Sequence, residues 1–261
     1  MQTIDRAVSI LALLAPHTEG LSVSELSKSM GLSLGTTHRF LQSLVENDLV
    51  EQDRASKRYR IGFKILRLAS NLLSTDRIID AARIPMRQAA SLVGNVVYLC
   101  QEHAGEVICT HCEDPTTDLH SKFADQIGNE MPFYAAAAAK IIFAYKSHGV
   151  LQNLFMRHAP LVRYTARTKT ALDEILADAR KNLSKGYAVC DEELEKGVIA
   201  VAAPVFSYNG EVAGSIGVTG IKSNFQLEAV TEALLTCSKK VSRELGYDPR
   251  LPETAHSGPF S

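Results

Sequence analysis

SVSELSKSMGLSLGTTHRFLQSLVENDLVEQDRASKRYR, residues 22–60, is the stretch that decides the fold of the N-terminal part of this chain. Ser22 followed three residues later by Glu25 is the pattern of a helix capping box. Apolar residues then recur at helical spacing, and Gly31 stands where a helix ends in a left-handed residue. Ser33 can cap a second helix. The stretch therefore predicts a helix, a tight turn and a second helix.

The second helix has one apolar and one polar side. Phe40, Leu41, Leu44 and Val45 form the apolar stripe that would face a core. The polar side chains on or near the other face are Ser33, Thr36, Thr37, His38, Arg39 and Gln42. Such side chains contact base edges and phosphates in helix-turn-helix proteins. An ordinary helical hairpin with a solvated face would show the same pattern.

A basic hairpin after the second helix favours DNA binding. Two short strands, Leu49–Val50 and Tyr59–Ile61, flank a polar turn whose cations are Arg54, Lys57 and Arg58. Residues 33–75 hold seven Lys/Arg against four Asp/Glu, a net charge of +3, whereas the whole chain is at −1. A wing of this kind can lie along a phosphate backbone. The segment thus predicts a winged helix-turn-helix on double-stranded DNA, working as dimers on paired half-sites.

Composition agrees with a globular protein of more than one domain. The chain has 261 residues, of which 46% are hydrophobic and 22% are charged. We expect no signal peptide, no membrane-spanning helix and no membrane partner. Five cysteines, an odd number, suggest free thiols in a reducing cytoplasm.

The expected organisation is a winged domain over 1–62, a linker helix over 63–75, a second domain over 76–246 and a mobile tail over 247–261.

The second domain reads as hairpins flanked by helices. We expect one hairpin from 95–101 and 106–112, and another from 198–206 and 211–219 with an Asn-Gly turn. Helices are predicted over 76–92, kinked or divided at Pro85, and over 134–146, 171–183 and 227–245. An antiparallel sheet with helices is α+β architecture. Attached to a DNA reader, it would bind a small molecule or dimerise.

The chain resembles the IclR family of bacterial transcription regulators over about residues 2–245. In the first part the likeness rests on Glu25-Leu26, Gly31-Leu32, residues 36–41 and residues 59–62. In the second part it rests on Pro132, Lys140, residues 186–193, Gly197 and residues 202–206. The resemblance implies a GAF-like effector-binding domain, no cofactor, and a homodimer or dimer of dimers that controls a catabolic operon, as a repressor by our prediction.

The resemblance also implies where a small-molecule effector binds. The expected pocket residues are Met131, Tyr134, Ala136, Ala137, Ala138, Cys190, Asp191, Ala200, Gly217 and Thr219. Members that bind small keto acids often have Asp at the position of Cys190 and Cys at the position of Ala200. They often have Ser at the positions of both Gly217 and Thr219. Since Thr219 keeps a hydroxyl and the other three positions do not, we expect a larger or more apolar organic acid, aromatic acids included. Neutral packing changes in an ordinary pocket are the alternative.

Other chemistry is considered because of the cysteines and an acidic run. Cys109, His111 and Cys112 could suggest a metal or thiol sensor, but residues three apart in a regular strand face opposite sides, so sharing one metal needs a bulge or turn. Residues 191–193 with Glu195 could supply an acid or base, although a solvated loop is the simpler interpretation. A metal- or thiol-responsive sensor, or a small-molecule enzyme, is therefore the alternative to a DNA-binding regulator.

Overall fold

The computed structural model describes residues 2–74, 76–115 and 127–249, in two compact units. The first unit, Met1–Thr75, contains α1 (Gln2–Leu14), α2 (Val23–Met30), α3 (Leu34–Glu46), β1 (Val50–Gln52), β2 (Tyr59–Ile61) and α4 (Phe63–Ser74). The second unit starts at Asp76, and its predicted tail lies outside the described residues from position 250 on. Whether α4 acts as a linker stays a prediction.

The first unit is built around a small core. Ile10 and Leu14 of α1, Leu26 of α2 and Leu41 of α3 are at most 1% exposed and pack together. The strands β1 and β2 pair antiparallel, with Val50 opposite Ile61. Three helices and a two-stranded hairpin in this order confirm the predicted winged helix-turn-helix.

The second unit has an antiparallel sheet of five strands, in the order β4-β3-β7-β6-β5. The strands are β3 (Val97–His103), β4 (Glu106–Glu113), β5 (Ala188–Asp191), β6 (Val198–Phe206) and β7 (Val212–Ile221). Its helices are α5 (Arg77–Val93), α6 (Ala137–Ala144), α7 (His148–His158), α8 (Leu172–Lys185) and α9 (Leu227–Glu244), with a 3-10 turn at Lys222–Asn224. The sheet confirms the predicted α+β class.

Helices cover both faces of the sheet. On one face the Ser215 hydroxyl of β7 donates to the carbonyl of Ala138 in α6, at 3.0 Å. The next residue back, Gly214, faces Ile78 of α5. Successive residues of a strand point to opposite faces. α6 therefore covers one face, while α5 and α9 pack on each other and on the other face.

One predicted helix start is corrected, and of the two alternatives predicted at Pro85, a kink or a division, the division is excluded. Pro85 does not divide α5, which continues from Arg77 to Val93. Proline removes one backbone hydrogen bond, but the buried face that includes Ala82 and Met86 holds the helix together. α6 starts at Ala137 and not at Tyr134, because Ala136 is extended and its N–H bonds to Pro132. The edge strand β5 was not predicted as a strand.

None of the helices within the described residues has the length and apolarity needed to cross a membrane.

Glu25 links the first helix-turn to the wing. Its carboxylate accepts hydrogen bonds from the Ser22 N–H and hydroxyl, both at 2.7 Å, and its N–H donates to the Ser22 hydroxyl at 3.3 Å, which completes the predicted capping box. Arg58 of the wing donates to the same carboxylate at 3.0 Å and to the Gly20 carbonyl at 2.9 Å. Hydrogen bonds from Ser22, with Arg58 next to them, lower the pKa of Glu25 from 4.5 to about 2. The hairpin is thus fastened to the start of α2.

We expect Glu25→Gln to destabilise the first unit at pH 7. A carboxylate whose pKa is lowered by folding stabilises the fold above its unfolded pKa, and this contribution is lost as the pH falls through its folded pKa. The difference in urea midpoint between parent and variant should therefore persist down to about pH 4.5 and shrink toward about pH 2. Urea unfolding followed by circular dichroism measures it.

Glu46→Gln, at an exposed site on α3, is the matched control. Its difference in urea midpoint from the parent should not shrink between about pH 4.5 and about pH 2. If the Glu25→Gln effect stays constant down to pH 2, the carboxylate is not what fastens the hairpin.

Candidate functional sites

The outward face of α3 presents a polar surface. Ser33 caps the helix, its hydroxyl accepting from the Thr36 N–H at 3.3 Å. His38, Arg39 and Gln42 are exposed, as is Ser33, and Thr36 is half-buried. Long polar side chains on one exposed helix face can reach bases and phosphates.

Thr37 does not belong to this surface, which corrects the sequence prediction. Its side chain is 0% exposed, and its hydroxyl donates to the Ser33 carbonyl at 3.1 Å. Sequence reasoning placed it outward because it is polar. A threonine hydroxyl that bonds back to the preceding turn is satisfied inside the core, so its polarity gives no guide to its direction.

The turn of the wing has a fixed geometry. The Asp53 carboxylate accepts from the N–H groups of Ala55 and Ser56, at 3.1 and 2.7 Å. The bond from Ser56 lowers the pKa of Asp53. Lys57 adopts a positive φ of 59°. This arrangement leaves Arg54 and Lys57 exposed at the tip, where they could meet a phosphate backbone.

Arg58, the third predicted wing cation, has a different position. Its guanidinium is paired with Glu25 and bonded to Gly20, and its side chain is 37% exposed. The charge is therefore partly neutralised within the unit. We expect Arg58 to hold the wing in place as well as to face DNA, and the sequence pattern did not show this second role.

A cavity of about 430 Å³ in the second unit lies between the start of α6 and the sheet. Six of the predicted pocket residues line it: Met131, Ala136, Ala137, Cys190, Ala200 and Thr219. The lining residues that were not predicted are Tyr98, Asn129, Glu130, Pro132, Tyr164, Leu194, Glu195 and Val198. Among the described residues that line it there is no lysine or arginine, so these residues offer an anion backbone and hydroxyl groups.

Tyr98 is the most important residue that the sequence reasoning missed. It is 3% exposed, and it lies opposite Gly217 in the β3–β7 pairing. Any Cβ at position 217 would come within 2.4 Å of the Tyr98 ring. Tyr98 and Thr219 share a side-chain hydrogen bond, and burial raises the pKa of Tyr98 far above its usual range. The Tyr98 ring thus fills the space that a side chain at position 217 would occupy.

Four predicted pocket residues do not line this cavity. Gly217 lies beneath the Tyr98 ring. Tyr134 donates to the Val162 carbonyl at 2.9 Å and lines a neighbouring cavity of about 240 Å³. Ala138 is 0% exposed. Asp191 forms an ion pair with Lys222 at 2.6 Å, outside the cavity. These four residues face away from the cavity because of how the strands and helices pack together, and that packing cannot be inferred from the order of residues along the chain.

The N-terminus of α6 faces this cavity. No side chain caps Ala136, the residue before the helix, and Ala136 and Ala137 both line the cavity. The first N–H groups of a helix have no acceptor within the helix and carry partial positive charge. The site therefore offers backbone donors for a carboxylate.

A buried group of charges fixes α6 in position. The Lys140 ammonium lies 2.7 Å from Glu193 and 2.8 Å from Asp178, and donates to the Val189 carbonyl. Lys169 contacts the same two carboxylates, at 3.1 and 3.3 Å. Burial opposes the charge on Asp178, but Lys140 outweighs it and lowers the pKa of Asp178. Two cations and two anions therefore connect α6, α8 and the segment after β5.

The cysteines do not form a metal site in the described residues, where no group of three or more potential ligands comes together. The strand is not regular at Cys109 and Cys112: the β3–β4 register shifts between Leu99 and Cys100, which is the kind of bulge that the sequence argument named as the exception. The two sulfur atoms are 3.6 Å apart.

Two family models match the chain. A model described as the IclR helix-turn-helix domain matches residues 3–54, and one described as bacterial transcriptional regulator IclR C-terminal matches residues 70–243. The glycerol operon regulatory protein of Streptomyces griseus is 31% identical over 252 residues, which cover 94% of this chain and 97% of that protein.

Two crystal structures of similar fold were also found. An IclR transcriptional regulator from Alicyclobacillus acidocaldarius has 26% identity and a TM-score of 0.80, covering 94% of this chain and 99% of that one. An IclR homologue from Microbacterium hydrocarbonoxydans, in complex with 4-hydroxybenzoate, has 19% identity and a TM-score of 0.77, covering 93% and 98%. The latter likeness concerns the fold alone.

We expect Gly217→Ala to destabilise the second unit by about 1–3 kcal/mol, as overpacked core positions do. The added methyl group would collide with the Tyr98 ring. In a Tyr98→Ala background the collision partner is gone, so Gly217→Ala should then cost almost nothing. Urea unfolding of the four proteins in this double-mutant cycle measures the coupling.

Gly149→Ala on α7 is the matched control, because a Cβ there meets nothing within 4 Å. If Gly217→Ala lowers the free energy of unfolding equally with and without the Tyr98 ring, the contact between them is contradicted.

Proposed function

The chain belongs to the IclR family of bacterial transcriptional regulators, and on this premise we propose that its DNA binding is controlled by an aromatic or similarly apolar monocarboxylate. The cavity at the start of α6, where backbone donors meet an apolar lining and two bonded hydroxyl groups, carries this proposal. The alternative of an enzyme or a metal sensor is not favoured, since the matched families are those of DNA-binding regulators.

DNA recognition is assigned to α3 and the wing tip. His38, Arg39 and Gln42 would enter the major groove, with Ser33 and Thr36 at the helix start near the phosphates. Arg54 and Lys57 would contact the backbone from the wing. Helix α3 supports this because its opposite side, Leu41 and Leu44, is buried in the core of the unit.

We also propose that the regulator works as a homodimer or dimer of dimers on paired half-sites. The net charge of +3 over residues 33–75 is small for tight binding by one copy. Large apolar side chains are exposed in the first unit, on α1 at Ile4 and Val8 and on α4 at Phe63 and Leu66. Burying such side chains against a second copy would be favourable. Two linked copies would double the number of phosphate contacts.

The cavity chemistry selects the ligand class. Its volume of about 430 Å³ lies within the range of small-molecule sites. The N-terminus of α6 would hold one carboxylate, and the Tyr98–Thr219 hydroxyl pair could bond a second polar group across the ring. Glu130 and Glu195 line the same cavity and would disfavour a second negative charge. The homologue crystallised with 4-hydroxybenzoate offers an example of this class.

Repression is the sign of regulation that we propose, with the ligand releasing the protein from its operator. The glycerol operon regulatory protein among its relatives supports control of a catabolic operon. A reporter fused to the promoter region upstream of the gene, measured with and without the gene, decides between repression and activation.

Arg39→Ala should weaken binding to the operator by about 1–3 kcal/mol if the guanidinium reads a base. If it contacts a phosphate, the loss should be similar on all sequences and the salt slope should fall by about 1. Fluorescence anisotropy with a DNA fragment from the upstream region, titrated at several salt concentrations, separates these outcomes.

Lys181→Ala, at an exposed site on α8, removes one positive charge from the other unit and is the matched control. Unchanged affinity of Arg39→Ala at every salt concentration would argue against α3 as the recognition helix.

Aromatic monocarboxylates such as 4-hydroxybenzoate should raise the melting temperature more than glyoxylate or pyruvate do. Binding to the folded state stabilises it by mass action. Thr219→Val should reduce the shift for hydroxylated ligands and keep it for benzoate, because the hydroxyl pair is lost but the apolar lining remains. Thermal-shift titrations measure both effects. Stabilisation by the short keto acids alone would contradict the ligand class.

A further inference from the structure

Cys100, Cys109 and Cys112 lie on the neighbouring strands β3 and β4, close to Tyr98, which lines the proposed ligand cavity. Cys100 of β3 is the register partner of Cys109 of β4, and Cys112 of β4 is the partner of Tyr98. Cys100 and Cys109 belong to the hydrophobic cluster that includes α6, and the partly buried Cys112 packs against it. All five cysteines of the chain are thiols, with no disulfide between them.

A β-bulge brings two of these thiols to the same side. Leu99 pairs with His111 and Cys100 pairs with Cys109, so Thr110 is the extra residue of β4. A bulge leaves one residue unpaired and reverses the alternation after it. Cys109 and Cys112, three apart in sequence, therefore face the same way, and their sulfur atoms are 3.6 Å apart.

The backbone of Cys109 forms hydrogen bonds with a segment that is not part of β3 or β4. The Cys109 N–H donates to the Asn129 carbonyl at 3.0 Å, and its carbonyl accepts from the Gly128 N–H at 2.7 Å. Segment 127–131 thus runs along β4 and supports the bulge. The close approach of the two sulfur atoms is consequently part of a hydrogen-bonded arrangement.

We propose that Cys109 and Cys112 form a reversible intramolecular disulfide when the protein meets a hydroperoxide. The Cys112 sulfur attacks the O–O bond, which breaks to give a sulfenic acid and an alcohol or water. The Cys109 sulfur then attacks the Cys112 sulfur, the S–O bond breaks, and the departing hydroxide takes the Cys109 proton and leaves as water. Two S–H hydrogens and one peroxide bond are consumed for one S–S bond. Two molecules of a small thiol reduce the protein disulfide by two successive exchanges and leave as the small disulfide.

Exposure decides which sulfur reacts first. Cys112 is partly exposed, whereas Cys109 is 0% exposed. The hydrogen bond to Cys100 and burial raise the pKa of Cys109 well above its usual range, so Cys109 reacts with the peroxide less readily than Cys112 does. Closing the bond requires the sulfur atoms to move from 3.6 Å to about 2.0 Å.

Oxidation should affect the ligand cavity, and this consequence rests on the proposed function. Cys112 lies directly opposite Tyr98, whose hydroxyl bonds Thr219 in the cavity. Movement of β4 at Cys112 would shift the Tyr98 ring over Gly217. We therefore expect weaker binding of hydroxylated aromatic acids by the oxidised protein.

Peptide mapping of the full chain tests the disulfide. The protein is treated with hydrogen peroxide, blocked with N-ethylmaleimide, denatured, and cut with trypsin and a glutamate-specific protease. Cleavage after Glu102, Glu106 and Glu113 separates Cys100 from the peptide Val107–Glu113, which carries both other cysteines. We expect that peptide to be unalkylated and lighter by two hydrogen atoms, and dithiothreitol treatment before blocking to restore two adducts.

Variants identify the partners. Cys112→Ser should abolish the mass loss, whereas Cys100→Ser and Cys237→Ser, the latter on α9, should keep it. Two alkylated thiols in the wild-type peptide after peroxide, a sulfinic acid at Cys112 without the disulfide, or a link to the Cys100 peptide would overturn the proposal. The wild-type map decides even if a variant fails to fold.

Thermal shifts with 4-hydroxybenzoate on reduced and oxidised protein test the effect on the cavity. A smaller shift after oxidation supports it, and equal shifts overturn it. If reduced protein shows no shift, the proposed ligand class fails, but the peptide map still decides the disulfide.

Discussion

The buried ammonium group of Lys140 is the constraint on which the second unit depends. A cation that is 5% exposed is tolerable only if anions and hydrogen-bond acceptors surround it. Glu193, Asp178 and the Val189 carbonyl supply them, from the segment after β5, from α8 and from β5 itself. Removing one partner of a buried ion pair typically costs about 3–5 kcal/mol. These contacts therefore fix where α6 lies, and the start of α6 is one wall of the ligand cavity.

The opposite wall of that cavity depends on how a side chain fits its neighbour, the Tyr98 ring against Gly217, and not on charge. The Tyr98 ring occupies the space above Gly217, where even a methyl group would collide with it. The polar group that position 217 lacks is replaced by the Tyr98 hydroxyl, bonded to Thr219. The cavity is hence less apolar than the sequence departures at Cys190, Ala200 and Gly217 suggest.

In the first unit, one carboxylate connects the two parts of the DNA reader. Glu25 caps α2 through Ser22 and pairs with Arg58 of the wing. The capping box was predictable because it depends on residues three apart in one helix turn. The pairing with Arg58, 33 residues away, was not predictable, and it gives Arg58, predicted only as a DNA contact, a part in positioning the hairpin.

The sequence by itself determined the winged reader, the α+β class and most of the elements, though not β5, because capping residues, helical periodicity and turn residues act over a few neighbouring positions. It also indicated six residues of the cavity lining through the family resemblance. Only the tertiary structure decided that Thr37 points inward, that Tyr98 covers Gly217 and that a bulge at Thr110 brings Cys109 to Cys112. Each of these depends on which strand or helix packs opposite, and that partner lies far away along the chain, where local pattern carries no information.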